Sequence, residues 1–224
     1  MKITKIEDLN NIPEGITELD ISSLGLTTLP KLPQSLTGLY CSYNKLTSLD
    51  NLPCSLTILF CSSNELTNLD NLPQSLTILR CYNNILTSLD NLPSGLTYLD
   101  CNRNKLTKLD NLPQSLTELD CGYNQFTSLD NLPNSLTKLY CRYNQLTSLD
   151  NLPQSLIKFV CYDNKLTSLD IANYNELEYL SCKDNNFPEE MVTILDDKDL
   201  TIQEKIDKLI EGCLIPYDNS FVLK

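Results

Sequence analysis

The chain of 224 residues contains no histidine, and none of its ten cysteines belongs to a C-x-x-C pair. Zinc sites are built from clustered Cys and His ligands, so neither a structural nor a catalytic zinc is expected. No apolar run reaches the roughly 18 to 20 residues that span a bilayer. The start, Met1-Lys2-Ile3-Thr4-Lys5-Ile6-Glu7-Asp8, has no apolar signal-peptide core, so neither a membrane partner nor an amino-terminal secretory signal is expected. Basic residues are scarce: 17 Lys and Arg stand against 29 Asp and Glu, a formal charge of −12. That balance disfavours attraction to phosphate backbones and anionic surfaces, and nucleic acid is not an expected partner.

What the chain has in abundance is one repeated sentence. Copies starting at Leu36, Leu56, Leu76, Leu96, Leu116, Leu136, Leu156 and Leu177 read close to L-T-x-L-x-C-x-x-N-x-L-T-S-L-D-N-L-P-Q-S. A period of twenty residues implies a stack of small units, none of which buries its apolar face without neighbours. Within a unit L-x-x-L-x-C alternates as a strand does, and N-x-L closes a turn. In the unit from Leu36 the expected inward residues are Leu36, Leu39, Cys41, Leu46, Leu49 and Leu52, with Tyr40 and Ser42 pointing away. The rest of the unit holds a proline and too few residues for a helical return, so extended, polyproline-like backbone is expected on the convex side. Nine strands, the first from Ile16, would make a concave parallel sheet roughly 40 Å long at about 4.8 Å per strand.

Three further ladders recur at this period. Cys41, Cys61, Cys81, Cys101, Cys121, Cys141 and Cys161 share one position, and Cys182 continues the series after a one-residue insertion. Same-position side chains on parallel strands point the same way, so the thiols are expected to be compact buried hydrophobes, suited to a reducing compartment. Cys54 and Cys213 lie outside the series, and Cys54 is expected to be the most accessible thiol. Asn44, Asn64, Asn84, Asn104, Asn124, Asn144, Asn164 and Asn185 mark the ninth position. There an amide can satisfy backbone groups of its own and adjacent turns. Asp50, Asp70, Asp90, Asp110, Asp130, Asp150 and Asp170 form a carboxylate row. Bridging calcium is one reading of it. Acceptance of backbone N–H groups two residues on, which needs no metal, is the other and the expected one. No cofactor is expected.

The residues L-x-x-L-x-L-x-x-N-x-L, with Cys in the third Leu place, are those of leucine-rich repeats. Leu29-Pro30-Lys31-Leu32-Pro33, followed by Gln34-Ser35-Leu36, resembles the short L-P-x-L-P type of bacterial effectors of the IpaH and YopM kind. Later turns depart from it, as in Leu49-Asp50-Asn51-Leu52-Pro53. The cysteine-bearing L-T-S-L units are also similar to leucine-rich repeat proteins of giant amoeba viruses. The resemblance covers residues 6–187 and implies a leucine-rich repeat solenoid that binds proteins, possessed by effectors in a host cytoplasm. The IpaH group carries a ubiquitin ligase with a catalytic C-x-D, and this chain contains Cys161-Tyr162-Asp163 and Cys182-Lys183-Asp184. Both are the repeat's core Cys followed by variable positions, and the ligase domain has no counterpart, so no enzymatic activity is expected.

Residues 1–15 are expected to form an amino-terminal cap or half repeat, with Ile6, Leu9, Ile12 and Pro13 matching the second half of a unit. Residues 16–187 hold the repeats, and residues 188–224 a small α-helical cap and tail. In the cap, Thr201 and Glu204 form a plausible capping box, and Ile202, Ile206, Leu209, Ile210 and Cys213 share a helical face, with Gly212 at the exit. A shorter helix is expected from Pro188 to about Leu195, and a loose tail from Tyr217 to Lys224.

Positions that do not repeat are free to be chosen by a partner. The third, fifth, seventh and eighth places of each unit collect nine of the eleven tyrosines: Tyr40, Tyr43, Tyr82, Tyr98, Tyr123, Tyr140, Tyr143, Tyr162 and Tyr179. Exposed tyrosine offers a large contact area and a polar tip with little entropy to lose. The face is also zoned: Tyr40, Ile58, Phe60 and Ile78 form an apolar end, Asp100, Glu118 and Asp120 an acidic centre, and Lys138, Arg142 and Lys158 a basic zone. The expected partner is a protein or peptide with complementary zones, bound by a monomer and anchored on Phe60, Tyr98, Tyr123, Tyr140 and Tyr143. A scaffold acting through edges or caps, and a carbohydrate-binding surface, are the alternatives.

Overall fold

Three residues of every unit pair with the unit before and the unit after. The computed structural model describes residues 1–212 and 214–215, so the expectations for Cys213 and for the tail fall outside the described residues. The strands are β1 Glu18–Asp20, β2 Gly38–Tyr40, β3 Ile58–Phe60, β4 Ile78–Arg80, β5 Tyr98–Asp100, β6 Glu118–Asp120, β7 Lys138–Tyr140, β8 Lys158–Val160 and β9 Tyr179–Ser181. They form one parallel sheet in sequence order. Leu19, Leu39, Leu59, Leu79, Leu99, Leu119, Leu139, Phe159 and Leu180 stand in one register row. No helix interrupts the chain between β1 and β9. This is the solenoid the period implies.

Pairing extends past the strands, which is why three-residue strands suffice. Thr37 N donates to Thr17 O at 2.8 Å, Cys41 N to Phe60 O at 2.8 Å, Tyr43 N to Ser62 O at 2.9 Å and Lys45 N to Leu26 O at 2.8 Å. Each turn is thus bound to its neighbours along half its length, and the apolar rows stack into one continuous core. Leu36, Leu39, Cys41 and Leu46 are fully buried as expected, while Leu49 and Leu52 are only partly buried and pack against the core from its rim. The prolines of the Leu-Pro pairs from Pro33 to Pro153 are buried too. Pro33 O accepts from Leu36 N at 3.3 Å, closing the turn that feeds the next strand.

The Asn ladder is what holds the bend after each strand. Asn144 Oδ1 accepts from Phe126 N at 3.1 Å, while its Nδ2 donates to Cys121 O at 3.2 Å and Cys141 O at 3.0 Å. One amide thereby ties the strand ends of two turns where regular pairing stops. The ladder cysteines are buried and unbridged, and Cys54 is exposed. Burial pushes the thiols of Cys41 and Cys182 up to about 12, which keeps them protonated and unreactive.

The aspartate row behaves otherwise than expected. Only Asp170 accepts a backbone N–H two residues on, from Ala172 at 3.4 Å. Asp50, Asp130 and Asp150 instead accept the hydroxyls of Ser48, Ser128 and Ser148 at 2.7, 2.9 and 3.1 Å. The turn is made by the following residue: Asn51, Asn71, Asn91, Asn111, Asn131 and Asn151 have φ between 56° and 60°. Asn tolerates that left-handed conformation better than most side chains. Among the described residues no group of three His, Cys, Asp or Glu side chains is placed to hold a metal ion.

Met1 to Ile3 runs beside β1, with Ile3 N donating to Asp20 O at 2.8 Å and Asp20 N to Met1 O at 2.7 Å, and Ile3 is buried. Ile6–Asn11 then forms a 3₁₀ helix, with Ile6 exposed and Leu9 and Ile12 partly buried against the core. The opening residues therefore cover the sheet edge that an array leaves bare. At the other end α1 (Glu189–Asp196) and α2 (Ile202–Glu211) form the cap. Thr201 and Glu204 make the expected capping box, and Met191, Ile206 and Leu209 are buried over the last turn. Gly212 ends α2 with φ −76° rather than in the left-handed region. Among the described residues no helix is long and apolar enough to cross a membrane.

Candidate binding face

Parallel register turns every variable place into a row across the sheet. The third place gives Glu18, Gly38, Ile58, Ile78, Tyr98, Glu118, Lys138, Lys158 and Tyr179, and the fifth gives Asp20, Tyr40, Phe60, Arg80, Asp100, Asp120, Tyr140, Val160 and Ser181. The eighth place, just before each ladder Asn, has φ between 52° and 58° from Tyr43 to Asp184. Tyr43, Tyr123 and Tyr143 occupy it. So do Ser63, Asn83, Arg103 and Asp163. Nothing in the repeat motif itself marks this left-handed position.

In the first half of the face, Tyr40 and Phe60 meet edge to face at 5.1 Å. The guanidinium of Arg80 lies over the rings of Phe60, at 4.6 Å, and Tyr98, at 5.2 Å. The supposed apolar end thus encloses a cation, because the fifth place of β4 is Arg80, a residue the zoning left out. At the edge, the hydroxyls of Tyr43 and Tyr82 hydrogen-bond at 3.1 Å, and that bond foremost pushes the Tyr82 phenol up to about 12. Asp100 is 9% exposed. Its carboxyl is pushed up to about 6, first by burial and then by the carboxylate of Asp120.

The second half answers its own charges. Lys138 pairs with Glu118 at 3.0 Å. Arg142 takes both carboxylate oxygens of Asp120, at 3.2 to 3.3 Å. Burial still outweighs Arg142 in holding the Asp120 carboxyl above its ordinary value. The acidic centre and the basic zone are therefore not two wholly free fields for a partner to meet in turn: Lys138 and Arg142 reach back across one strand to Glu118 and Asp120, while Asp100 and Lys158 have no ion-pair partner among the described residues. Tyr123 stacks on Tyr143 at 4.2 Å, and Tyr143 meets Tyr162 edge to face at 5.3 Å. Arg103, also missed by the zoning, lies 4.7 Å from the Tyr123 ring. Lys158 sits between Tyr140 and Tyr179, at 5.4 and 4.7 Å.

The two C-x-D matches offer no nucleophile. Cys161 is fully buried, with its thiol raised well above the ordinary value by burial, and Cys182 is buried beneath the cap.

A family model for leucine-rich repeats, two copies, matches residues 114–154. No curated protein matches the chain at a significant level. Among solved structures, the chain is similar to YopM from Yersinia enterocolitica WA-314, at 37% identity and a TM-score of 0.74, over 78% of this chain and 39% of that one. The functional domain of InlJ from Listeria monocytogenes, described as including a cysteine ladder, matches at 41% identity and a TM-score of 0.71, over 78% of this chain and 41% of that one. A Shigella effector leucine-rich repeat domain matches at 30% identity and a TM-score of 0.62, over 87% of this chain and 81% of that domain. The chain thus spans well under two thirds of YopM and InlJ.

Proposed function

Because the chain belongs to the leucine-rich repeat family, whose stacked strands present one long open surface, we propose that it binds a protein or peptide through its sheet face, with Tyr43, Tyr123 and Tyr143 along the contact edge. The fold and the effector-like neighbours support the broader reading, a protein-interaction module. The observation that carries the finer one is the conformation of those three tyrosines. A side chain at positive φ costs about 1 kcal/mol or more, and Asn, as at Asn83, fits the position at the least cost. Tyr43 is 58% exposed and Tyr143 40%. At Tyr43 and Tyr143 a large ring is held outward in a costly backbone state, where its exposed face is available for contact.

The module acts by binding, as a monomer, with no metal or cofactor. A reducing, cytoplasmic location suits its unbridged cysteines, and the kinship with YopM and the Shigella effector domain suits action on host proteins. Substituting Tyr43, Tyr123 and Tyr143 together by Ala keeps a Cβ at each positive φ and gives up their ring and hydroxyl contacts, so it should lower the melting temperature modestly, leave the chain folded and abolish capture of host proteins by the immobilised chain. Capture that persists in the triple variant would sink this reading.

A further inference from the structure

Two side-chain polar atoms among the described residues are buried with no hydrogen bond to the protein: Ser62 Oγ and Arg80 Nε. Both residues line one depression of about 270 Å³ on the first half of the face, rimmed by Tyr40, Tyr43, Phe60 and Tyr82. Buried polar groups are nearly always paired, so two unpaired ones in a single depression ask for a shared ligand. Both can donate, and one belongs to a guanidinium, so the missing group is an acceptor with negative charge. No carboxylate of the described residues forms an ion pair with Arg80; its charge rests on the rings of Phe60 and Tyr98. Asp20, also on the rim, is already engaged by Ser22 N at 3.0 Å and by Lys2 at 3.6 Å.

We propose that this depression is a carboxylate-binding site, taking from a partner peptide one carboxylate that has an apolar side chain beside it. The charge count selects a monoanion. Asp100 follows Arg80 on the next strand and Asp20 lies on the rim three strands before it, so a phosphate dianion would approach two carboxylates for one guanidinium. The aromatic rim selects the apolar neighbour, because Tyr40 and Phe60 present ring edges and faces beside the cation. The volume suits one acid group with a side chain and not a run of acids. As a peptide subsite this rests on the reading of the face as a recognition surface; as a site for small carboxylates it stands alone.

The test uses the full chain and N-acetyl-phenylalanine, with N-acetyl-phenylalaninamide as the uncharged control. Proton–nitrogen NMR of the Arg80 Nε–H group should give a saturable downfield shift with the acid at millimolar concentration and none with the amide. Asp100→Asn should tighten the acid severalfold by removing a flanking charge. Ser62→Ala should weaken it severalfold while leaving the chain folded, and Arg80→Gln should abolish the shift of neighbouring resonances. Should Arg80→Gln fail to fold, the opposite responses of the other two variants decide. No response to the acid, or equal responses to acid and amide, overturns the site. If that happens while the triple tyrosine variant still loses protein capture, the carboxylate site alone falls. A positive acid titration with capture intact in the tyrosine variant leaves the site standing and removes the wider reading.

Discussion

The two halves of the sheet face are built on one register yet treat their polar groups in opposite ways. From β6 to β9 the two carboxylates are answered within the molecule, Glu118 by Lys138 and Asp120 by Arg142, and Lys158 lies between the rings of Tyr140 and Tyr179. From β1 to β5, Arg80 Nε and Ser62 Oγ have no protein partner, and Asp100 has no cation within ion-pair distance among the described residues. The backbone is not the cause, since strand length and pairing repeat without change from β1 to β9. The difference lies in side chains alone. A polar group buried without a partner costs stability, so a chain that leaves two in one half and, among the described residues, none in the other has that half fitted for contact with something else.

Both halves rest on one repeated frame, and breaking that frame carries the largest expected effect. Asn64 and Asn144 make matching bonds. Asn64 accepts from Leu46 N at 3.0 Å and donates to Cys41 O at 3.1 Å and Cys61 O at 3.0 Å. Each substituted by Ala should lose about 1 to 3 kcal/mol through unsatisfied backbone groups. Chemical denaturation should give the same loss for both. Losses that differ by more than about 1 kcal/mol would mean the halves differ in their frame as well.

The frame was legible in the sequence because each of its parts recurs. A Leu, Cys or Asn that returns every twenty residues must meet its copies, and the Thr201 and Glu204 pair carries its own local signature. Met1 to Ile3 has no such copy. It lies along β1 only because an open edge is there, a tertiary circumstance that no local pattern marks. The eighth place was legible as variable but not as left-handed, since residues as unlike as Ser63, Arg103 and Tyr123 fill it. The rows of the binding face were likewise legible from the period, but the reach of long side chains was not. Reading Glu118 beside Lys138 in register would have shown that the acidic and basic zones meet. Arg80 stood in plain view at its place, yet its position between two rings depends on rotamers.

Breaking the answered half sharpens the contrast. Arg142→Ala leaves the Asp120 carboxylate, 18% exposed, without its bidentate partner. The expected loss is about 1 to 2 kcal/mol, less than for a fully buried pair because both side chains keep some solvent. Arg80→Ala gives up two ring contacts but also removes an unpaired buried donor, so its loss should stay below about 1 kcal/mol. Melting temperatures of the two variants give the order. An Arg80 variant that falls further than the Arg142 variant would show that Arg80 serves the fold and not a partner.

The smallest effect is the most direct, because it applies one substitution to two register neighbours, Asp100 and Asp120. An acid whose folded-state value is raised binds its proton more tightly folded than unfolded. Its contribution is therefore fully present below the ordinary carboxylate value and is lost as pH rises through the folded one. For Asp100 the window runs from 3.8 to about 6. Asp100→Asn keeps an oxygen for the Asn102 amide and removes a charge that Asn102 and Arg80 offset only in part. It should add about 1 kcal/mol at pH 8 and little at pH 4, flattening the fall in stability across that window. Asp120→Asn relieves the same burial but forfeits Arg142, so it should gain less or nothing. Thermal melts of both variants at the two pH values test this. Equal gains would mean that Arg142 answers nothing, and the division of the face into a satisfied half and an open half would go with it.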